Sequence, residues 1–374
     1  MRNQEIQYLR AYGLIAILLG HMPLVIPNFL MHGYTFVSLF LAIAGYFTAL
    51  QFDKRYPDAE FRGIKVFERE FVNRFFRLVP LMAIWILMYY IVSHVGYYKG
   101  WMYGDELRWV AELKAAVLGY YNYYLAGLEI GGLFGQFWTL YVEIHLFIVL
   151  ILILILFRTM RGRVIVLTSL ILVTIFILRP LTPDIMVRYA THAQADSFLG
   201  GALLAILTKD RSKFLDRLSV GSGIKRLVGL SLVIILFISG YLFDTFLNIQ
   251  GIKYFVYTVL SILILFLARE NDGWFAFKEG GAASKVLGFY GKVSASTYVS
   301  HVLLYSCVYW NINNLGIIPE TLNNSAAGIA VQVIFLLLAA PLVGYISMIL
   351  IEKPYGAYGK SVMNGIDYHI AGDR

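Results

Sequence analysis

One cysteine, Cys307, is all this chain has, so no intrachain disulfide can form and any thiol chemistry would rest on a residue inside an apolar run. Charge is sparse too. Asp, Glu, Lys and Arg make up 14% of the 374 residues, against 59% hydrophobic residues and a mean hydropathy of +0.69. A soluble domain of this length could not bury that much apolar surface, which excludes the water-soluble classes. A Walker-type glycine loop is missing, and with it the common backbone cradle for nucleotide phosphates. Met1 to Arg10 contains Glu5 and no A-x-A site follows the first apolar run, so a cleaved signal is not expected. Internal repeats, low-complexity linkers and room for a soluble domain are also lacking.

What remains is an all-α, polytopic integral membrane protein. Apolar runs of spanning length predict ten transmembrane helices, at 8–27, 34–52, 76–95, 136–157, 164–180, 188–207, 227–243, 252–268, 290–311 and 327–351. The chain is expected to form one transmembrane domain over 1–374, with a short tail at 352–374. With a cytoplasmic amino terminus, all but six of the 31 Lys and Arg fall on the inner side, the six being Lys99, Arg108, Lys114, Arg179, Arg188 and Lys253. Both termini are therefore expected in the cytoplasm. The net charge of +8 sits in short loops between apolar runs, where it sets topology and meets membrane lipid or ligand phosphates; nucleic acid is not an expected partner. The long outer connection 96–135 is rich in aromatics that suit a membrane interface or a sugar ring, and 111–125 reads as an interfacial or re-entrant helix.

Ionisable residues inside the apolar runs are the candidates for chemistry, because each costs roughly 2.5–3.5 kcal/mol on insertion scales unless it faces protein or a watery cavity. The first run carries Arg10 and His21, eleven residues and about 16 Å apart on nearly one helix face. His21 is the side chain best suited to exchange a proton near neutral pH. Two readings stay open here: the pair lines a polar cavity, or Arg10 snorkels to headgroups while His21 packs. Arg74 and Arg77, three residues apart on a helix entering the membrane, either clamp a phosphorylated ligand or obey the positive-inside rule; Lys65 and Arg69 broaden that basic surface.

Glu143 lies about 10 Å below the outer end of the fourth run and needs a partner; Thr139 shares its face, and His145 points to another contact. In the sixth run His192 and Asp196 are spaced i, i+4, ahead of Gly200 and Gly201, which let a neighbouring helix come close. Asp196 reads as a structural or orienting carboxylate, with a catalytic role as the lesser alternative. The ninth run adds Ser294, Ser296, Ser300 and the pair Tyr298 and His301, expected to bind or orient substrate. Glu352-Lys353-Pro354 closes the tenth run. No metal site is expected.

Taken in order, Glu5 to Arg10, His21, Phe40 to Gly45, Arg74 with Arg77, Phe137-Trp138-Thr139-Leu140 to Glu143, Asp196 with Gly200, Tyr298 to His301 and Glu352 to Pro354 resemble the acyltransferase 3 family, membrane-bound O-acyltransferases of bacterial surface glycans. The resemblance runs over almost the whole chain. It implies a cytoplasmic acyl-CoA donor, usually acetyl-CoA, and an acceptor on the outer face, such as O-antigen, exopolysaccharide or a lipid-linked sugar. It makes His21 the key catalytic histidine and puts Arg74 and Arg77 near the donor. On that reading Arg10 holds the donor or stabilises oxyanion charge, and Glu143 or Asp196 orients His21. The chain departs from the family at Ser38, Ala44, Thr139 and Ile144, which bears most on the fourth-run motif. The extracytoplasmic hydrolase-like domain of longer relatives is not expected here. Intramembrane His, Arg and Glu also serve proton-coupled carriers, so a transporter or flippase of a glycan or lipid intermediate is the alternative, although no inverted repeat supports it.

Overall fold

The computed structural model describes residues 3–22, 27–57, 63–94, 106–128, 131–209, 221–247, 250–277, 280–314 and 325–372. Most of the expected inner loop 208–226 and the start of the outer connection 96–135 lie outside them. Among the described residues there is no strand. The helices are α1 (Gln4–Gly20), α2 (Phe36–Arg55), α3 (Ile64–His94), α4 (Glu106–Val117), α5 (Tyr121–Ala126), α6 (Trp138–Leu156), α7 (Met160–Val173), α8 (Ala195–Thr208), α9 (Ser222–Leu242), α10 (Gln250–Ala268), α11 (Ala282–Asn314), α12 (Ala326–Ser347) and α13 (Lys353–Gly372).

Seven helical segments among these residues are long and apolar enough to cross a membrane. The expected count of ten is not confirmed. The three expected spans that miss it are instructive: α1 has 17 residues and α8 has 14, while α11 is 33 residues long but carries polar side chains through its middle. Bounds shift for local reasons. The first helix starts at Gln4, four residues earlier than its apolar run, and stops at Gly20, because Pro23 disfavours helical backbone at the residue before it. α3 begins at Ile64, twelve residues ahead of its apolar run, since its first turns alternate charge and Phe and give no continuous hydrophobic signal. Single-turn π-helical segments follow α7, α9 and α12, at Thr174–Leu178, Phe243–Leu247 and Met348–Glu352.

The chain divides into two compact units, one of residues 1–44 and 207–345, the other of 45–206 and 346–374. In the first unit α1 is the buried axis: Tyr8, Ala11, Leu14 and Leu18 are fully buried, against Leu287, Tyr290 and Tyr305 of α11 and Leu336 and Ala340 of α12. Gly291 lets α11 come against α1, for a Cβ there would lie 2.1 Å from the carbonyl oxygen of Gln7. The start of α1 is fixed by two asparagines. Asn3 caps it, its Oδ1 accepting from the Ile6 amide at 3.0 Å, while its Nδ2 donates to the carbonyls of Ala268 and Arg269 at the end of α10. Asn271, at φ 57°, accepts from the amides of Gln4 and Glu5, both at 3.1 Å.

In the second unit ion pairs tie the helices. Arg55 of α2 grips Glu70 of α3 through two bonds of 2.6 and 2.7 Å, and Arg163 of α7 reaches Asp53 at 2.6 Å. Burial and the neighbouring Glu70 carboxylate push the Tyr56 hydroxyl above its ordinary range. Gly45 lets α2 touch α8, where a Cβ would meet the carbonyl oxygen of Phe198 at 1.9 Å. α13 lies along α3, with the Tyr358 ring edge-on to Phe76 at 5.2 Å. The region expected to be interfacial or re-entrant holds α4 and α5. They are fastened by the buried carboxylate of Glu112, which accepts from Arg108 at 2.9 Å, Tyr121 at 2.8 Å and the Leu133 amide at 2.8 Å. Leu107, Val110, Leu113 and Val117 line the opposite, exposed side of α4.

Candidate functional site

In the first unit the candidates gather where α1 ends against α11. The chain turns out of the helix at His21, the C-cap, with φ −110° and ψ 3°. Its Nδ1 lies 2.9 Å from the carbonyl of Ile17. A carbonyl can only accept, so Nδ1 carries the hydrogen, and the neutral ring keeps its lone pair at Nε2. The ring stands edge-to-face on His301 of α11, with centres 5.0 Å apart and planes at 77°. His301 is fully buried and flanked by Tyr298 and Tyr305, each 5.7 Å away between ring centres. The structure thus brings His21 of the first run against His301 of the ninth, with Tyr298 on the flank of His301. Arg10 lies on α1 below them, half-buried.

The second unit holds the remaining candidates in two places. Arg74 and Glu143 bind each other, and the Arg74 guanidinium also lies 5.1 Å over the ring of Phe147. Arg77, one turn further along α3, is exposed. Arg74 and Arg77 are about 60° apart around the helix, the first bound to Glu143 and the second exposed. Asp196 is bound by Arg179 at 2.5 Å, both side chains buried, and Arg179 also donates to the Ala193 carbonyl at 3.0 and 2.8 Å.

The expected His192 and Asp196 pair is not formed as a helical pair. α8 starts only at Ala195, so His192 sits in the turn before it, bonded to Thr182 at 2.9 Å and Tyr123 at 3.2 Å. His145 does belong to another contact, with Thr191 at 2.9 Å and the Gly119 carbonyl at 2.8 Å. Thr139 lies 3.4 Å from the carbonyl of Gln136.

Sequence reasoning passed over one polar cluster in the first unit. Asp244, in the π-helical turn after α9, accepts from Tyr34 at 2.6 Å and Lys253 at 2.8 Å and lies 3.5 Å from His32. The signal was there, a carboxylate closing an apolar run, and is the same one that singled out Glu143. Among the described residues no group of three His, Cys, Asp or Glu is placed to hold a metal ion.

Chemically, the first unit offers an imidazole with a defined basic nitrogen, and the second an anchored and an exposed guanidinium suited to anionic ligands. No curated protein and no solved structure gives a significant match to the chain. A family model described as an acyltransferase domain matches residues 3–348, nearly the whole length, and the chain belongs to this family of membrane acyltransferases.

Proposed function

We propose that this membrane acyltransferase is an O-acyltransferase, chiefly an O-acetyltransferase, that moves an acyl group from cytoplasmic acyl-CoA to a hydroxyl of an extracytoplasmic glycan such as O-antigen or exopolysaccharide. It acts as a single transmembrane domain in the bacterial cytoplasmic membrane, with both termini inside. The observation that carries the reading is the contact of His21 Nδ1 with the Ile17 carbonyl. With Nδ1–H committed to the Ile17 carbonyl, Nε2 is a positioned base within a chain of acyltransferase ancestry.

Nε2 of His21 takes the proton of the acceptor hydroxyl as its oxygen attacks the thioester carbonyl. The carbon–sulfur bond then breaks, and the proton ends on the thiolate of free CoA. Arg10 stabilises the oxyanion or holds the donor. Arg77 and Arg74 meet the CoA phosphates, with Glu143 fixing the Arg74 fork. Tyr298 borders His301, the ring against which the base packs, and contributes to acceptor binding. Asp196, held by Arg179, supports the helix that carries it.

Two measurements test the function. Purified protein should bind radiolabelled acetyl-CoA, which a carrier of glycan intermediates has no need to do. Mass spectrometry of surface glycans from cells with and without the gene should show one acyl group gained on one sugar. Identical glycans, with no donor binding, would remove the proposal.

A further inference from the structure

In the first unit, the carboxylate of Asp244 has the setting of a binding group. It lies in the single-turn π-helical segment Phe243–Leu247 after α9, and turns of this kind are rare and frequent at functional sites. The side chain is 33% exposed, yet it is held on its inner side. Lys253 of α10 donates to Oδ1 at 2.8 Å and Tyr34 donates to Oδ2 at 2.6 Å. A carboxylate has about four lone-pair sites, so these two bonds leave it acceptor capacity. His32 Nδ1 lies 2.9 Å from the Asn28 carbonyl and so carries a hydrogen; its Nε2 stands 3.5 Å from Asp244 Oδ2, beyond good hydrogen-bond range.

The cluster sits toward the same membrane face as His21. Asn3 at the start of α1 bonds the carbonyls that end α10, so the end of α1, with His21, and the start of α10, with Lys253, lie toward the other face. Residues 28–35 join the two places. Gly33 packs on α1, where a Cβ would meet the Ala16 carbonyl oxygen at 1.9 Å and the Ile17 amide nitrogen at 2.8 Å, and it is the Ile17 carbonyl that holds His21. The neighbouring His32 packs on α9, where a Cβ on Gly240 would lie 2.8 Å from its own. The charges of Asp244 and Lys253 cancel, and the Lys253 side chain is buried in that pair. An acidic ligand would set a second anion beside the carboxylate, whereas neutral hydroxyls can donate to it through charge-assisted bonds. Aromatic rings border the cluster: Tyr241 stands edge-on to His32 at 5.7 Å, and Tyr34 lies 6.1 Å from Tyr257. A carboxylate among amphipathic rings suits a sugar, which has hydroxyls at its edge and apolar C–H groups on its faces.

We propose that Asp244, with His32, Tyr34 and Tyr241 around it, forms an acceptor subsite for a neutral sugar, whose hydroxyls donate to the exposed part of the Asp244 carboxylate. The inference deepens the glycan-acceptor reading and rests on it. A plain clamp between α9 and α10 would need only Lys253. It gives no role to Tyr34 and His32, which come from a third element, and none to the exposed carboxylate. The subsite selects the acceptor and holds it one segment of chain away from the end of α1; it takes no part in proton transfer.

The test uses the full-length protein in lipid nanodiscs with tritium-labelled oligosaccharides released from the surface glycan and separated by charge into neutral and uronic-acid-bearing fractions. Equilibrium dialysis without donor measures binding, and radiolabelled acetyl-CoA measures transfer. Wild type should prefer the neutral fraction. Asp244→Asn should weaken its binding and raise the acceptor KM roughly tenfold, the effect of losing a hydrogen bond to a charged group, with the donor KM within about twofold of wild type. Lys253→Met, which keeps the carboxylate, should weaken binding less. Asn at 244 leaves a buried ammonium without its partner, so if Asp244→Asn does not fold, Asp244→Asn combined with Lys253→Met replaces it and should show the same loss. Equal losses from removing the carboxylate and from Lys253→Met alone would make the pair a structural clamp and overturn the inference, as would a wild-type preference for the acidic fraction. Transfer at a normal acceptor KM without the carboxylate would sink the subsite alone. A wild type that binds the neutral fraction but transfers no acetyl group would sink the acyl-transfer reading and leave the subsite standing.

Discussion

Arg74 and Glu143 are bound to each other across α3 and α6, while Arg77, one turn along α3, stays exposed. Two arginines that look equivalent in the sequence therefore stand in different electrostatic situations. Arg74→Ala strands a partly buried carboxylate, and a broken pair of this kind costs more than its net worth. Arg77→Ala strands nothing. The expected outcome is a lower melting temperature in Arg74→Ala, and in Arg77→Ala a normal melting temperature with an acyl-CoA KM raised about tenfold or more, from losing a contact worth roughly 1.5–3 kcal/mol. Thermal unfolding and donor saturation curves on the two variants check this. An unaltered donor KM in Arg77→Ala would make that arginine a topological charge only.

The Arg179 and Asp196 pair leads to a stability prediction. Both side chains are buried, at 1% and 0% exposed, so neither charge has water to fall back on. Removing one partner should cost about 3–5 kcal/mol, and removing both with Arg179→Met and Asp196→Leu should cost less than the sum of the single losses. Chemical denaturation of the four proteins completes the cycle. Strict additivity would mean that the two charges do not depend on each other.

Which parts of this molecule were legible beforehand follows from what periodicity and composition can carry. The apolar runs located the helices, because lipid imposes length and hydrophobicity on a span. They misplaced the ends of α1 and α3, where a proline and a charged amphipathic extension decide the boundary. The cost of intramembrane charge marked Glu143 as a residue needing a partner, and Arg74 is bound to it. It could not name that partner. Arg179 was counted among outer basic residues, yet it closes on Asp196; Lys253 was counted likewise, yet it binds Asp244. Spacing along one helix also suggested a partner for Asp196 in His192, and failed because the helix starts three residues after that histidine, at Ala195. Pairing between helices far apart in the chain leaves no trace in one sequence.

Glu5 supplies a pH prediction. It sits in the first turn of α1, fully buried, with Oε1 accepting from the Phe275 amide at 3.2 Å and Oε2 unpartnered. Burial, more than the nearby Asp272, raises its carboxyl above the ordinary value of 4.5. The folded state then holds the proton more tightly than the unfolded one. Stability should fall as pH rises from about the ordinary value through the raised one, and stay lower beyond it. Glu5→Gln keeps the acceptor and removes the charge, so its melting temperature should exceed wild type at pH 7 and lose that part of the pH slope. Parallel pH profiles for the two proteins would show that the carboxyl is not strained by burial.

The most exposed prediction concerns the end of α1. If His21 is the general base, His21→Gln keeps a polar side chain of similar reach, yet transfer should drop about 10²–10⁴-fold, the usual contribution of such a group. Acetyl-CoA binding should persist, because the proton matters in the chemical step and not in docking. Arg10→Lys keeps the charge but loses the planar fork, so it should impair transfer in part if Arg10 holds donor or oxyanion, and be silent if it only reaches headgroups. Single-turnover transfer, equilibrium donor binding and melting temperature on both variants separate these outcomes. A folded His21→Gln protein that binds acetyl-CoA and still acylates glycan at the wild-type rate would move the base elsewhere. The geometry then leaves His301 next in line, because its Nε2 carries a lone pair and finds no hydrogen-bond partner among the described residues.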